Sequence, residues 1–340
     1  MLTVRAPLGW LGPGRLQEDV AVVIENRRVT FAGPSQDALE TQEEIAFDGF
    51  VMPGVVDRHV HIGLSDPEAV ITGGVTAVRD LGWPPEVIFP LCEASEGAAF
   101  NGPLIRCAGP MITCDGGYPT RSGWAPRGTG LEVRGAEEAA AAGRNLLDRG
   151  AAVLKVALNA DAGPTLTDEE LRAVCDVAHR AGTIVTAHAQ GAGQVERAVN
   201  AGVDEFAHCP WSERLSDELI SAVARKMRIV STLDIHSYGR DTPELEIAVD
   251  NLSRFLHAGG HVAYGTDLGN GPIPAGIHVG EAQHLHRAGL SAERVLEAIT
   301  FRPLMTGEPA DFIGLRRSAL EDLRALGDVE LVVRAGRRIP

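Results

Sequence analysis

The sequence is poor in basic residues relative to acidic ones. Lys and Arg together number 31 against 46 Asp and Glu, which gives a formal net charge of −15. A chain this acidic is poorly suited to bind a nucleic-acid backbone or an anionic membrane surface. We therefore expect a small-molecule substrate, with neither nucleic acid nor membrane as a partner.

The first residues also lack an uninterrupted hydrophobic run, because "MLTVRAPLGWLGPGRLQED" is broken by charge, Gly and Pro. This excludes a secretory core segment or a membrane span there. The five cysteines form no CxxC pair, which argues against a disulfide framework and a thiolate zinc site. We expect reduced thiols and a cytoplasmic protein.

Two patterns divide the chain. The first fifty residues hold short β-rich segments separated by turns, whereas from residue 51 onward apolar runs alternate with alanine-rich helical stretches. One stretch begins at Thr167 with Glu170 three residues later, which predicts a capping box at a helix start. The alternation is typical of βαβ units around a parallel sheet.

Eight apolar runs predict barrel strands, and they lead us to an α/β fold built on a (β/α)8 TIM barrel. The runs are "FVMPGVVD", "VTAVRDLG", "PLIRCAGP", "AAVLKVAL", "GTIVTAHA", "GVDEFAHC", "RIVSTLD" and "HVAYGTD". We expect the closing "ADFIGL" and "VELVVRAGRRI" to pair with the first fifty residues in a small β-sandwich-like layer. The predicted domains are 1–50 plus 308–340 for that layer and 51–307 for the barrel.

Chemistry in such barrels gathers where the strands end. The ends of the predicted strands carry His59, His61, Lys155, His188, His208 and Asp267. His59 and His61 are two residues apart on an extended chain, so their rings lie on the same side. Histidine and carboxylate are ligands for zinc and similar divalent ions. The pattern predicts a metal site.

Lys155 needs a separate explanation, because an ammonium group cannot bind a cation. Its apolar neighbours in "AAVLKVAL" predict burial, which favours the neutral amine. A neutral amine can add carbon dioxide to form a carbamate, whose two oxygens could bridge two metal ions. N6-carboxylation would thus convert this lysine into a ligand.

The sequence resembles the metal-dependent amidohydrolase superfamily, in its branch with a carboxylated lysine and a binuclear centre, which includes imidazolonepropionase-like and prolidase-like hydrolases. The matching segments, in the family's order, are "PGVVDRHVH", "GVTAVRDLG", "AAVLKVAL", "AHRAGTIVTAHAQG", "AVNAGVDEFAHC" and "VAYGTDLG". The resemblance implies that a homo-oligomer is one assembly open to the protein. It also implies two divalent metal ions, with Zn²⁺ favoured.

The resemblance also implies a role for each residue. His59, His61 and Asp267 would hold one ion, His188 and His208 the other, and carboxylated Lys155 would bridge both. A hydroxide shared by the metals would attack the substrate, and Asp267 would act as base and then as acid. This implies hydrolysis of an amide, cyclic amide or peptide-like C–N bond.

The chain departs from the family in the loop 113–130. Many relatives carry a "GGHG" segment after the third strand, where this chain has "DGGYPTRSG", so Tyr118 or Arg121 would replace the missing histidine contact. His236 and Tyr238 follow the seventh strand and are further candidate substrate contacts. We expect the loops 113–130 and 234–243 to shape specificity.

Other interpretations stay open. The same site could hydrolyse a lactone or an ester, or deaminate its substrate, and a metal-bearing binding protein without turnover is a further alternative. Deaminases of the superfamily generally lack the lysine of the fourth strand, so Lys155 counts against deamination. Asp57, which shares the first motif, is expected to support the ligands through hydrogen bonds.

Overall fold

A computed structural model describes residues 1–97 and 99–340 of the chain, and it has an α/β fold. In this part of the chain the strands are β1 Leu2–Trp10, β2 Leu16–Glu25, β3 Arg28–Pro34, β4 Glu43–Ala46, β5 Phe50–Pro53, β6 Val55–Val60, β7 Val75–Asp80, β8 Leu104–Cys107, β9 Met111–Cys114, β10 Gly130–Val133, β11 Leu154–Asn159, β12 Val185–Gln190, β13 Glu205–Phe206, β14 Arg228–Val230, β15 His261–Ala263, β16 Phe312–Leu315, β17 Val329–Arg334 and β18 Arg337–Arg338. The α-helices are α1 Pro67–Thr72, α2 Pro85–Ser95, α3 Gly135–Asp148, α4 Asp168–Arg180, α5 Gln194–Ala201, α6 Asp217–Lys226, α7 Pro243–His257, α8 Val279–Arg287 and α9 Ala292–Ile299.

Strands from both ends of the chain share one sheet. Its order is β18-β17-β16-β5-β1-β2-β3, and β4 pairs with β1. The sequence patterns did not predict β1, which contains Pro7; Ala6 and Leu8 have partners in β2, but Pro7 has none. A proline cannot donate a hydrogen bond to a neighbouring strand. The sandwich-like layer and the domain bounds stay predictions.

The predicted single strand "FVMPGVVD" is wrong, because it consists of two strands in different sheets. β5 pairs with β1 and β16, whereas β6 pairs with β7. Gly54 connects the two strands, and a Cβ atom there would lie 2.2 Å from Thr76 Oγ1. The chain therefore passes from the terminal sheet into the barrel region through a position that only glycine can occupy.

The strands of the barrel region form two parallel sheets. One has the order β6-β7-β8, and the other has the order β10-β9-β11-β12-β13-β14-β15. Backbone hydrogen bonds connect the sheets at both ends: Asp267 N donates to His59 O at 2.8 Å, and Ala152 N donates to Cys107 O at 2.8 Å. Each predicted run overlaps one of these strands, and within the described residues strand pairing divides them between the two sheets.

The helices pack on these sheets, and α4 begins where the sequence predicts a helix start. α4 starts with a capping box, in which the side chain of Thr167 accepts from the backbone of Glu170 and the Glu170 side chain binds the backbone of Thr167. Its buried face includes Leu171 and Val174, which join the large apolar core between helices and strands. The capping-box prediction is confirmed.

A buried network of ion pairs connects several strands of the barrel region. Glu205 on β13 lies 2.5 Å from the Arg79 guanidinium on β7 and 2.8 Å from Arg228 Nε on β14. Arg79 Nε also donates to the backbone oxygen of Arg58 on β6 at 3.0 Å. Burial opposes the charge of Glu205, but the two arginines outweigh it and lower its pKa.

Among the helices that the structure describes, none has the length and apolar character that a membrane span requires.

Candidate metal centre

The strand ends of the barrel region surround one cavity of about 340 Å³. All six predicted ligands line this cavity, and each of them is buried: His59, His61, Lys155, His188, His208 and Asp267. They come from β6, β11, β12 and the segments that follow β6, β13 and β15. The parallel strands thus bring together residues that are far apart in sequence.

The two histidines of the first motif are oriented by backbone carbonyls. His59 Nδ1 lies 2.7 Å from Ala207 O, and His61 Nδ1 lies 3.0 Å from Gly82 O. A carbonyl oxygen can only accept, so each Nδ1 carries the hydrogen and donates it. Each Nε2 is then left with its lone pair available, which is the form that binds a metal ion.

Asp267 faces both of these nitrogens. Its Oδ1 lies 3.2 Å from His59 Nε2 and 3.3 Å from His61 Nε2. Potential ligand atoms of His59, His208 and Asp267 all lie within 4.8 Å of one another. His208 Nδ1 is 2.9 Å from Thr232 Oγ1, which leaves its other nitrogen free to bind. This is the separation expected of side chains that share one metal-binding site.

His188 differs from the other three histidine ligands in the ring nitrogen that is hydrogen-bonded. Its Nε2 lies 3.2 Å from the amide oxygen of Gln190, and that oxygen also accepts from Asn159 at 2.9 Å. Since Oε1 is an acceptor, Nε2 of His188 carries the hydrogen, and Nδ1 remains as the nitrogen that could bind a metal.

Four buried polar atoms of this cavity have no hydrogen-bond partner within residues 1–97 and 99–340, and three of them belong to predicted ligands: His59 Nε2, Lys155 Nζ and Asp267 Oδ1. A buried polar atom without a partner costs free energy. A lone-pair nitrogen and a carboxylate oxygen that face each other are both satisfied by a cation. The residues therefore fit a divalent metal ion.

Burial also keeps three of the four histidines in a form that suits a metal ion, whereas at His61 the hydrogen bond with Asp267 outweighs burial and raises the pKa. Burial lowers the pKa of His59 and His208 well below the usual value, and it lowers the pKa of His188 to about 4. These imidazoles are therefore neutral at pH 7. Burial opposes the charge of Asp267, but the neighbouring His59 and His61 outweigh it and lower its pKa, so this carboxylate is ionised.

Lys155 lies on β11 with its whole side chain buried. Burial lowers the pKa of its amine to about 7, against an opposing effect from the charge of Asp267. A substantial share of the amine is therefore uncharged near neutral pH. The neutral amine is the form that reacts with carbon dioxide.

Three of the four predicted substrate contacts line the cavity. Tyr118, His236 and Tyr238 are among the lining residues, whereas Arg121 is exposed and is not. Burial lowers the pKa of His236 to about 3, and its Nε2 has no hydrogen-bond partner in the described chain. A substrate role for Arg121 stays a prediction, and this geometry does not favour it.

Several lining residues were not singled out from the sequence. They include Trp124, Trp211 and Asn270, and Asn270 Nδ2 donates to Asp267 Oδ2 at 2.8 Å. Trp124 lies within the loop 113–130 that we expected to shape the site. Trp211 stands three residues after His208, and a large aromatic residue so close to a predicted ligand was the signal that could have identified it.

Asp57 connects the two segments that carry ligands. Its Oδ1 accepts from the backbone nitrogens of His59 and Thr266, each at 3.1 Å, and its Oδ2 accepts from Thr266 Oγ1 at 2.5 Å. These bonds join β6 to the residues just before Asp267. They are the kind of hydrogen-bonded support that the sequence predicted for Asp57.

A second buried carboxylate holds the turn that carries His236. Asp234 lies 2.7 Å from His278 Nε2 and 3.2 Å from His284 Nε2. Its Oδ1 also accepts from Ser237 Oγ at 2.6 Å. Burial opposes its charge, but the hydrogen bonds from these groups outweigh it and lower the pKa of Asp234. The sequence patterns did not reveal this cluster.

Comparison with known proteins gives a consistent result. The sequence model of the protein family described as "Amidohydrolase family" matches residues 50–318 of this chain. An imidazolonepropionase from Micrococcus luteus is 38% identical over 64 residues, which cover 18% of this chain and 16% of that relative.

Solved structures match over nearly the whole chain. A. niger ochratoxinase has a TM-score of 0.83 at 21% identity, with coverage of 99% of this chain and 95% of that chain. A putative prolidase from Bifidobacterium longum has a TM-score of 0.82 at 25% identity, with coverage of 99% and 94%. These likenesses accord with the two parallel sheets described above.

Proposed function

The chain belongs to the amidohydrolase family, and from this premise we propose that it is a metal-dependent hydrolase that cleaves an amide, cyclic amide or peptide-like C–N bond of a small molecule. The observation that carries the proposal is the group of three buried, unpartnered atoms on His59, Lys155 and Asp267. Under this proposal the two parallel sheets are parts of one (β/α)8 barrel. The structural neighbour described as a putative prolidase is consistent with it.

The residues would hold two divalent ions, for which we expect zinc. His59, His61 and Asp267 would hold one ion, and His188 and His208 would hold the other. The Lys155 amine would add to carbon dioxide, with formation of an N–C bond and release of one proton, and the resulting carbamate would bridge both ions. Its burial and its lowered pKa support this assignment.

When bound, the ions supply positive charge that acidifies water and polarises a carbonyl group. Asp267 is buried and ionised, so its carboxylate can take a proton from the attacking water molecule. The same carboxyl group can then donate this proton to the leaving nitrogen. Asn270 bonds the other oxygen of Asp267 and would hold the carboxylate in place during both transfers.

Metal content tests the proposal. We expect two equivalents of metal per chain for protein purified with bicarbonate, and at most one for Lys155→Ala. Lys226 is the chain's other lysine and lies exposed at the end of α6, so Lys226→Ala is a matched control that should keep both equivalents.

The carbamate itself has a direct readout. The protein is purified in buffer that contains ¹³C-labelled bicarbonate. NMR should then show a carbamate carbon signal for the wild type and for Lys226→Ala, but not for Lys155→Ala. Amide hydrolysis should stop when a chelator removes the metal and return when zinc is added. One metal equivalent that Lys155→Ala leaves unchanged would contradict the bridged centre.

A further inference from the structure

The cavity concentrates aromatic side chains in a chain that has few of them. Aromatic residues make up 5% of the sequence, with four Trp and three Tyr. Two of those Trp and two of those Tyr line this one cavity: Tyr118, Trp124, Trp211 and Tyr238. Neither the metal ligands nor the proton transfers of the proposed function require these rings. Their presence calls for a separate explanation.

Trp124 and Tyr118 form one aromatic side of the cavity. The centroid of the Trp124 ring lies 4.7 Å from the centroid of the His61 ring, and Trp124 Nε1 donates to Tyr118 OH at 3.1 Å. The Tyr118 ring in turn lies 5.0 Å from His188, with 25° between the planes. These contacts hold two aromatic rings directly beside proposed ligands.

Trp211 contributes a further aromatic ring from the segment after β13. Its ring lies 5.4 Å from His208 and 5.6 Å from His188, at 78° and 81° to their planes. It also lies 4.4 Å from His236, at 32°. The unpartnered His236 Nε2 is therefore adjacent to this ring, where it can form one hydrogen bond with a ligand.

The cavity has little to offer a negatively charged ligand. None of its lining residues in the described chain is an arginine, and its lysine is Lys155 at the metal centre. Asp267 adds a negative charge. The scissile amide would occupy the metal ions of the proposed function, so a carboxylate elsewhere on the same substrate would lose its hydration without gaining a cationic side chain as partner. The size of the ligand is limited as well, because a volume of about 340 Å³ is small among ligand sites, which span roughly 300–1,000 Å³.

We infer that the site selects uncharged amides that carry a flat aromatic group, packed against Trp124 or Trp211, and discriminates against substrates with a free carboxylate, such as dipeptides. This inference rests on the proposed amide hydrolysis and names its substrate class. Aromatic rings attract a flat ring more strongly than a saturated ring of similar size, by about 2- to 10-fold in binding.

Three N-substituted acetamides test the inference with the metal-loaded protein: the benzyl, the 4-carboxybenzyl and the cyclohexylmethyl amide. The methylene group keeps the reactivity of the scissile bond similar in all three. We expect kcat/KM for the benzyl amide to exceed that for the carboxybenzyl amide at least about tenfold. It should exceed that for the cyclohexylmethyl amide by about 2- to 10-fold.

Two variants test which side chains cause the selection. Trp124→Leu and Trp211→Leu are expected, in one or both cases, to abolish the preference for benzyl over cyclohexylmethyl. Phe301 is exposed and lies outside the cavity, so Phe301→Leu is the matched aromatic control and should keep the preference. A carboxybenzyl amide cleaved as well as the benzyl amide, or a preference that both tryptophan variants retain, would overturn the inference.

A failure of the proposed function can be distinguished from a failure of this inference. If the protein with two metal equivalents cleaves none of the three amides, amide hydrolysis of this kind is refuted, and calorimetric binding of the same compounds then decides the inference. Tightest binding of the benzyl compound, weakened in a tryptophan variant, would uphold the aromatic selection. Equal binding of all three compounds would overturn it.

Discussion

Glu205→Gln should destabilise the fold while leaving the ligand side chains in place. Glu205 is 1% exposed and pairs with Arg79, whose side chain is 11% exposed. The substitution keeps the shape of the side chain and removes its charge, which leaves the Arg79 guanidinium buried without its counterion. Removal of one partner from a buried pair costs about 3–5 kcal/mol.

The lower part of that range is the expected loss. Gln retains an oxygen that can accept from Arg79, and Arg228, the second partner, is half exposed and can be solvated by water. We therefore expect the free energy of unfolding to fall by about 3 kcal/mol at pH 7.

The effect should depend on pH with a defined sign. The arginines lower the folded pKa of Glu205, so the folded state binds fewer protons than the unfolded state. The stabilisation is complete above the unfolded pKa of about 4.3 and is lost as the pH falls through the folded pKa. The difference between wild type and Glu205→Gln should shrink below about pH 4.

Urea unfolding at constant metal concentration measures this difference. Glu330→Gln is the matched control, because Glu330 pairs with Arg316 at the surface, where the two side chains are 39% and 67% exposed. The control should change the unfolding free energy by less than about 1 kcal/mol. Equal losses for Glu205→Gln and Glu330→Gln, or a loss that does not vary with pH, would refute the reasoning.

Three further substitutions address the site. Asp267→Asn removes the group that takes the proton, so kcat should fall at least about 100-fold, whereas the same change at exposed Asp176 on α4 should leave kcat unchanged in a steady-state assay. Gly271→Val should raise KM severalfold without loss of metal, because Gly271 has a φ of 63° and its Cβ would lie 2.5 Å from the Tyr238 hydroxyl; an unchanged KM would contradict this. Asp234→Asn weakens the two histidine contacts that hold the neighbouring turn, so kcat/KM should fall severalfold at constant metal content, and lost metal would point to a wider disruption.

The convergence of the candidate ligands could be predicted from the sequence because each of them stands at the end of an apolar run. Parallel strands carry such positions to one edge whatever the details of the helices. This reasoning needs only the order of strands, and it brought His59, Lys155 and Asp267 to one cavity. The histidine nitrogen that each ligand presents could not be predicted, since carbonyls such as Ala207 O determine it.

The surroundings of the centre were harder to predict because loop conformation determines them. Trp124 and Arg121 lie three residues apart in the same loop, yet one lines the cavity and the other is exposed. No periodic pattern distinguishes such positions. β1 was missed for a related reason, since Pro7 disfavours a strand locally and pairing with β2, β4 and β5 outweighs that preference.

The pairing of β5 with β16 has a consequence for the order in which the protein is made. β5 leads through Gly54 into β6, which carries His59, yet one of its edges pairs with a strand from the far end of the chain. As the ribosome releases the chain, that edge must stay open until Phe312–Leu315 has emerged. We therefore expect the nascent protein to expose an unpaired strand beside its proposed metal ligands for most of its synthesis, a period in which chaperone binding would protect it.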